Sequence, residues 1–210
     1  MSHSHCHKLF TELLRTLSQD ENLVELRRQD LSMHYDFEPS KAFGLIDVDN
    51  DGSINAEEVV TFLHKHNIVV DLKEVKDVIY DYDSNNDGDL GLAEFCQLTL
   101  PSTNPILRSV AEQRRFACTY KANSSVPADC VNLLVRLFEK ELTLQRNRNS
   151  ARNQLTSCPD YQKVRLFDAL THGRREASVP DLIYFLERNG FYPRREDVEA
   201  ILRRIDHSGD

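Results

Sequence analysis

Apolar residues recur at helical spacing along most of the chain. Residues 8–17 place theirs at intervals of three and four, which predicts an amphipathic helix near the N-terminus. Four further stretches with the same spacing follow at 39–46, 56–66, 72–82 and 92–100. Polar segments rich in aspartate, asparagine and glycine separate the first from the second and the third from the fourth. This pattern predicts an all-α fold that contains two helix–loop–helix units.

The two polar segments share one spacing of acidic residues. Residues 47–58 read DVDNDGSINAEE and residues 83–94 read DSNNDGDLGLAE, and both fit the pattern D-x-[DN]-x-[DN]-G-x5-E. Carboxylates this close repel one another unless a cation lies among them. Calcium takes six to eight oxygen ligands, which this spacing can supply. Two matches 36 residues apart make coincidence a poor explanation, so a calcium site is predicted in each loop.

Each position of the two loops has a predicted role. The first-loop ligands are Asp47, Asp49, Asp51, the carbonyl of Ser53, and Glu58, with Asn55 where a ligand often acts through water. The second-loop ligands are Asp83, Asn85, Asp87, the carbonyl of Asp89, and Glu94, with a water near Gly91.

Differences and links between the loops follow from single residues. Asn85 is neutral where the first loop has Asp49, so weaker calcium binding is expected at the second loop. Ile54 and Leu90 occupy equivalent positions and are expected to pair in a short antiparallel strand, which would couple the sites. Magnesium is expected to compete with calcium at both.

The second half of the chain repeats this architecture faintly. FLHKHNIVVDLKEVKDVIYDYD, from Phe62, returns 123 residues later as FLERNGFYPRREDVEAILRRID. The third loop, THGRREASVPDL, carries Arg174 and Arg175 where acids belong, and its last ligand position falls on Asp181 or on Ile183. Neither alignment leaves a cation cage.

A fourth loop begins where the sequence ends. Asp206, Ser208 and Asp210 would form its first half. Whether they start a functional site in a longer protein stays open.

The stretch between the two halves is predicted to be largely helical. Residues 101–105 end the preceding helix with two prolines, and a long helix is expected from Ala128. Its apolar stripe comprises Val131, Leu134, Val135, Phe138 and Leu142. The stripe is expected to be core for the second, degenerate pair. The alternative is a target helix lying in the groove of the first pair, with Arg136, Lys140, Arg146 and Arg148 as its basic residues.

These patterns divide the chain into four predicted parts. They are an N-terminal amphipathic helical segment at 1–35, a calcium-binding pair at 36–100, a helical linker at 101–159, and a degenerate, incomplete pair at 160–210.

Composition narrows the class of protein further. Residues 1–100 contain 8 basic and 20 acidic residues, as expected of a segment that holds cations. Five widely spaced cysteines without a CxxC pair favour free thiols in a reducing cytoplasm. The sequence contains no run of about 18 apolar residues, so no membrane span is predicted. The chain has no phosphate-binding glycine loop, nucleophile elbow, HExxH or kinase signature, and no nucleic-acid-binding module, so neither an enzyme nor a nucleic-acid partner is predicted.

The loops at 47–58 and 83–94 resemble those of the EF-hand superfamily, in calmodulin-like hand pairs. The resemblance is strong over about 37–100 and weak over 160–210, and the stretch after the pair also looks like multi-EF-hand proteins of ciliated or flagellated protists. It implies calcium-responsive regulation through a protein partner helix or the chain's own linker helix. The alternatives are a structural cytoskeletal or ciliary protein and a calcium buffer. The presence of only two methionines favours a dedicated partner or a static role.

Overall fold

The computed structural model describes residues 5–117 and 126–205, except for the side chains of residues 115–117. Over these residues the fold is all-α, as predicted, with ten helices and one two-stranded sheet. In chain order the elements are α1 His5–Met33, α2 Pro39–Ile46, β1 Ser53–Ile54, α3 Ala56–Lys65, α4 Leu72–Tyr80, β2 Leu90–Gly91, α5 Leu92–Thr99, α6 Pro105–Ala117, α7 Ala128–Thr156, α8 Lys163–Thr171, α9 Val179–Arg188 and α10 Arg195–Ile205. No helix among the described residues is long and apolar enough to cross a membrane.

The chain forms two compact units. One comprises Leu23–Gln145, and the other comprises Met1–Asn22 with Arg146–Asp210, so far as these residues are described. The boundaries fall inside α1 and inside α7, which each have 29 residues and a length of about 43 Å.

The unit Leu23–Gln145 contains both acidic loops and a well-packed core. Ile46, Ile54, Leu63 and Leu90 are fully buried, and the rings of Phe43 and Phe95 meet edge to face with their centroids 5.7 Å apart. These residues lie on the helices and strands that flank the loops, so the core fixes the ends of each loop.

The apolar stripe of α7 belongs to this same unit. Leu134, Val135, Phe138 and Leu142 are buried, and the Phe138 ring lies 6.2 Å from the Phe62 ring of α3, measured between centroids. The expectation that the stripe forms core for the degenerate pair is therefore wrong. Helical periodicity shows that one face is buried but does not say against which neighbour.

The other unit has two apolar clusters of its own. One contains the buried residues Cys6, Leu155, Cys158, Leu166 and Phe185, and the other contains Leu14, Leu182, Leu186, Val198 and Ile201. The early residues of α1 and the late residues of α7 therefore pack with α8, α9 and α10, which include the faint repeat of the second half.

Candidate metal centre

The first acidic loop turns sharply between α2 and α3. Asn50 and Gly52 have positive φ angles of 58° and 92°, and the second loop repeats them at Asn86 and Gly88 with 59° and 92°. A φ of 92° is strained for any residue with a Cβ, so the glycine of the motif is required by the backbone at both places. Asparagine tolerates the left-handed region better than most residues, which explains Asn50 and Asn86.

Carboxylate oxygens converge inside the first loop. One oxygen each from Asp47, Asp49 and Glu58 lies within 4.8 Å of the other two. Asp47 is only 5 % exposed, and its Oδ1 is buried with no hydrogen-bond partner among the described residues. A buried carboxylate oxygen without a donor is costly unless a cation satisfies it. The donor set and the orphaned oxygen therefore fit a hard divalent cation such as calcium.

Glu58 ties the end of the first loop to its beginning. Its Oε1 accepts the Val48 N–H at 2.8 Å, and its Oε2 accepts the Asn55 N–H at 3.0 Å. The Asn55 side chain in turn accepts the Glu58 N–H at 2.9 Å, which completes a capping box at the start of α3. The final acid of the motif is thus held on the first turn of the exiting helix, pointing back into the loop.

The three aspartates of the first loop accept hydrogen bonds from backbone N–H groups of the same loop. Asp47 Oδ2 accepts the Gly52 N–H at 3.2 Å, Asp49 accepts the Asp51 N–H at 3.2 Å, and Asp51 accepts the Ser53 N–H at 2.8 Å. Asp49 and Asp51 are exposed, and Ser53 lies in β1. The structure therefore brings Asp47, Asp49 and Glu58 together, while Asp51 and Ser53 lie in the same loop outside that cluster.

The second loop repeats the hydrogen bonds of its final acid, but among the described residues only Asp47, Asp49 and Glu58 of the first loop form a carboxylate cluster. Glu94 Oε1 accepts the Ser84 N–H at 2.9 Å, and its Oε2 accepts the Gly91 N–H at 2.8 Å. Asp83 accepts the Gly88 N–H at 2.9 Å. Within the second loop, the Asn85 amide nitrogen donates to Asp87 Oδ2 at 2.7 Å. An amide can donate to a neighbouring acid where a carboxylate cannot, so one Asp87 oxygen is engaged within the loop.

The electrostatics of the second loop follow from these contacts. Burial raises the pKa of Glu94, but hydrogen bonds from Gly91 and Ser84 outweigh burial and hold that pKa below its usual value. Burial raises the pKa of Asp89, and the negative charges of Asp87 and, in the first loop, Asp51 raise it further. The carboxylates of the two loops therefore repel one another electrostatically, as expected where a positive charge is needed between them.

The two loops are joined by the strand pair. β1 and β2 are antiparallel, with Ser53 opposite Gly91 and Ile54 opposite Leu90. Both Ile54 and Leu90 are fully buried. The predicted pairing is confirmed, and it links the middle of one loop to the middle of the other.

A set of buried polar residues beside the second loop was missed by sequence reasoning. The Tyr82 hydroxyl, one residue before Asp83, donates to Glu141 on α7, and Arg28 Nη2 reaches both, at 2.6 Å from the hydroxyl and 3.2 Å from the carboxylate. Gln145, one turn later on α7, donates to the Asp81 carboxylate at 2.6 Å. Tyr82 lies next to the motif, but nothing in the sequence connects it with Glu141.

The third loop takes one of the two alignments that the sequence allowed. α9 begins at Val179, and Ser178 and Asp181 form a capping box there. Asp181 thus occupies the place on its helix that Glu58 and Glu94 occupy on theirs, and Ile183 does not. Asp206, Ser208 and Asp210 of the fourth loop lie outside the described residues.

Comparison with known proteins agrees with this geometry. The family model of the EF-hand domain pair matches residues 40–100. Residues 40–100 are therefore an EF-hand domain pair, and this domain supports calcium binding.

A curated relative has a similar segment. Calcium-dependent protein kinase 3 of Plasmodium berghei (strain Anka) is 39 % identical over 62 residues, which cover 27 % of this chain and 11 % of the kinase. No solved structure matches.

Proposed function

We propose that this chain is a calcium-responsive regulatory module in which ion binding at two loops, 47–58 and 83–94, changes how the hand pair holds its own helix α7. The observation that carries the proposal is the contact between Phe62 and Phe138. Phe62 lies on α3, the exiting helix of the first hand, and is 5 % exposed, while Phe138 on α7 is 1 % exposed. A shift of α3 would therefore directly disturb the packing of α7.

The polar contacts of α7 support the same proposal. Glu141 is fully buried and receives both Tyr82 and Arg28, and Gln145 donates to the carbonyl of Asp77 at 3.2 Å as well as to Asp81. Asp77 lies on α4, the entering helix of the second hand. Two α7 residues one helical turn apart thus bind the segment that leads into the second loop. A buried charge network of this kind has few alternative arrangements, so it suits a switch between discrete states.

The residues that would hold the ion in the first loop are Asp47, Asp49, Asp51, Glu58 and the carbonyl of Ser53. When bound, calcium supplies the positive charge that these carboxylates lack. The calcium ion would then compete with the Val48 N–H for one Glu58 oxygen, and with the Ser84 N–H for one Glu94 oxygen. Because each glutamate stands on the first turn of an exiting helix, that competition acts on α3 and on α5.

One further consideration supports a binding role for the chain. A similar segment occurs in a kinase whose name describes it as calcium-dependent. The segment itself is proposed to be non-catalytic and to act in the cytoplasm, through α7 or a protein partner helix that replaces it.

A structural or buffering role is the second candidate, and one observation favours it. The exiting helix α3 already has a complete capping box from Asn55 with Glu58, and in α5 the Gly91 N–H already donates to Glu94. Helices fixed in this way would bind the ion without moving. Calcium would then stiffen one unit of a cytoskeletal or ciliary assembly, or be stored.

The experiment that separates these roles compares the wild-type chain with Glu58→Gln/Glu94→Gln. Glutamine can still form a capping box but lacks the ligand charge. Hydrogen exchange of the α7 peptide amides is measured in EDTA, in millimolar magnesium, and with added calcium. Regulation predicts faster α7 exchange with calcium in the wild type and not in the variant. Calcium binding by titration calorimetry with unchanged α7 exchange would favour the structural or buffering role.

A further inference from the structure

The third hand, formed by α8, the following loop and α9, has an arginine beside its last acid. Arg174, in the loop between α8 and α9, places its Nη2 against Asp181 Oδ1, and its Nε donates to the carbonyl oxygen of Thr171 at 3.1 Å. Thr171 is the last residue of α8, and Asp181 stands on the first turn of α9. One guanidinium therefore joins the end of the entering helix to the start of the exiting helix.

The comparison of the three hands shows what this guanidinium replaces. In all three, one oxygen of the last acid accepts the N–H of the helix N-cap: Asn55 to Glu58, Gly91 to Glu94, and Ser178 to Asp181 at 2.9 Å. The other oxygen of Glu58 and of Glu94 reaches an N–H at the start of its loop. The corresponding oxygen of Asp181, on a side chain shorter by one methylene, meets Arg174 instead.

The chemistry of the contact is suited to a permanent link. A guanidinium stays charged at all physiological pH values and has five N–H donors, enough for a carboxylate and a carbonyl together. The carbonyl of Thr171 lies at the C-terminal, partly negative end of α8, where a cation is favoured. Asp181 is 5 % exposed, and hydrogen bonds from Ser178, together with Arg174, hold its pKa below the usual value.

We propose that the α8–α9 hand is a cation site filled by the chain's own guanidinium: Arg174 takes the position of the divalent ion and makes this hand independent of calcium. The inference concerns a different loop from the proposed function and stands without it. It excludes the α8–α9 hand from any calcium response of the chain. The α8–α9 hand would keep one conformation at every calcium concentration.

The neighbouring arginine supplies a matched control. Arg175 is exposed, has the same charge, and has no hydrogen bond or ion pair among the described residues. Arg174→Gln and Arg175→Gln therefore change the net charge equally, but only the first removes the link between Thr171 and Asp181.

The experiment measures hydrogen exchange of peptides covering 171–188 and thermal unfolding, in the full chain with EDTA. Arg174→Gln is expected to speed exchange at the start of α9 and to lower the Tm of the transition that includes this unit by about 2 to 4 °C. Arg175→Gln is expected to change neither. Calcium added to the wild type is expected to leave exchange of 171–188 unchanged.

Two outcomes would overturn the inference. One is equal effects of the two glutamine variants, which would reduce Arg174 to a surface charge. The other is slower exchange of 171–188 on adding calcium, lost in Asp181→Asn, which would show a divalent ion in this hand. Because Arg174 is more than half exposed, a variant that fails to fold is not expected.

Discussion

The rings of Phe62 and Phe138 lie with their centroids 6.2 Å apart and their planes tilted by 60°. The first residue belongs to the exiting helix of a calcium-binding hand and the second to a helix 76 positions further along the chain. The contact makes α7 part of the core of the EF-hand unit.

Replacing Phe138 by alanine should destabilise this unit. Phe138 is fully buried, and truncation of a buried phenylalanine typically costs about 3 to 5 kcal/mol of unfolding free energy. Urea unfolding followed by circular dichroism would measure it. Arg136→Ala, an exposed position on the same helix, is the control and should change the free energy by less than about 0.5 kcal/mol. A loss below about 1 kcal/mol for Phe138→Ala would contradict the packing described.

The Tyr82 hydroxyl should matter far more than that of its neighbour Tyr80. Tyr82→Phe removes the donor to the buried Glu141 and should lower the unfolding free energy by about 1 to 3 kcal/mol, because that carboxylate loses a partner. Tyr80 is 71 % exposed, so Tyr80→Phe removes the same atom without consequence. Equal unfolding midpoints in urea for the two variants would rule out the buried network.

A charge at position 85 should strengthen the second site. Asn85→Asp adds a carboxylate at the third position of the loop and removes the amide that donates to Asp87. We expect tighter calcium binding by roughly tenfold at this site, within the range over which ligand charge tunes EF-hand affinity. Titration calorimetry in millimolar magnesium would resolve it. Asn86→Asp, next to it in the same exposed turn, adds the same charge outside the ligand positions and is the control.

Acid should weaken the EF-hand unit through Glu25. Burial raises the pKa of this carboxyl, but hydrogen bonds from Thr103 and Ser102, together with Arg28, lower it below its ordinary value of 4.5. The unfolded chain therefore takes up the proton first as pH falls. The stabilisation is present above pH 4.5 and is lost as the pH drops through the folded-state pKa.

The check is the pH dependence of unfolding free energy in wild type and Glu25→Gln. The wild type should lose stability more steeply below pH 4.5, while the glutamine variant should be less stable at pH 7 and show a shallower acid slope. Parallel curves would mean that Glu25 does not carry this effect. Glu12→Gln, an exposed position on the same helix, should leave both the stability and the slope unchanged.

The helical pattern predicted some elements better than others. The helices that flank the acidic loops came directly from their apolar spacing. For α1, a helix was predicted at residues 8–17 within a helical segment at 1–35, and the helix runs from His5 to Met33. Its later part buries Glu21, Glu25 and Arg28 with charged and polar partners. Buried charges look like surface residues in a sequence, so this part of the helix lacked a clear apolar face.

The sequence by itself determined the two acidic loops, their pairing through Ile54 and Leu90, and the failure of the third loop as a calcium cage. Each loop depends on residues about a dozen positions apart or fewer, where spacing and backbone geometry leave little choice. The pairing of Ile54 with Leu90, 36 positions apart, follows from their equivalent places in two matching loops. Tertiary structure alone decided that Phe138 meets Phe62, that Tyr82 meets Glu141 across 59 positions, and that Arg174 faces Asp181. The physical reason is that burial requires an apolar or charged side chain to have a partner, but which residue becomes that partner depends on how the whole chain packs.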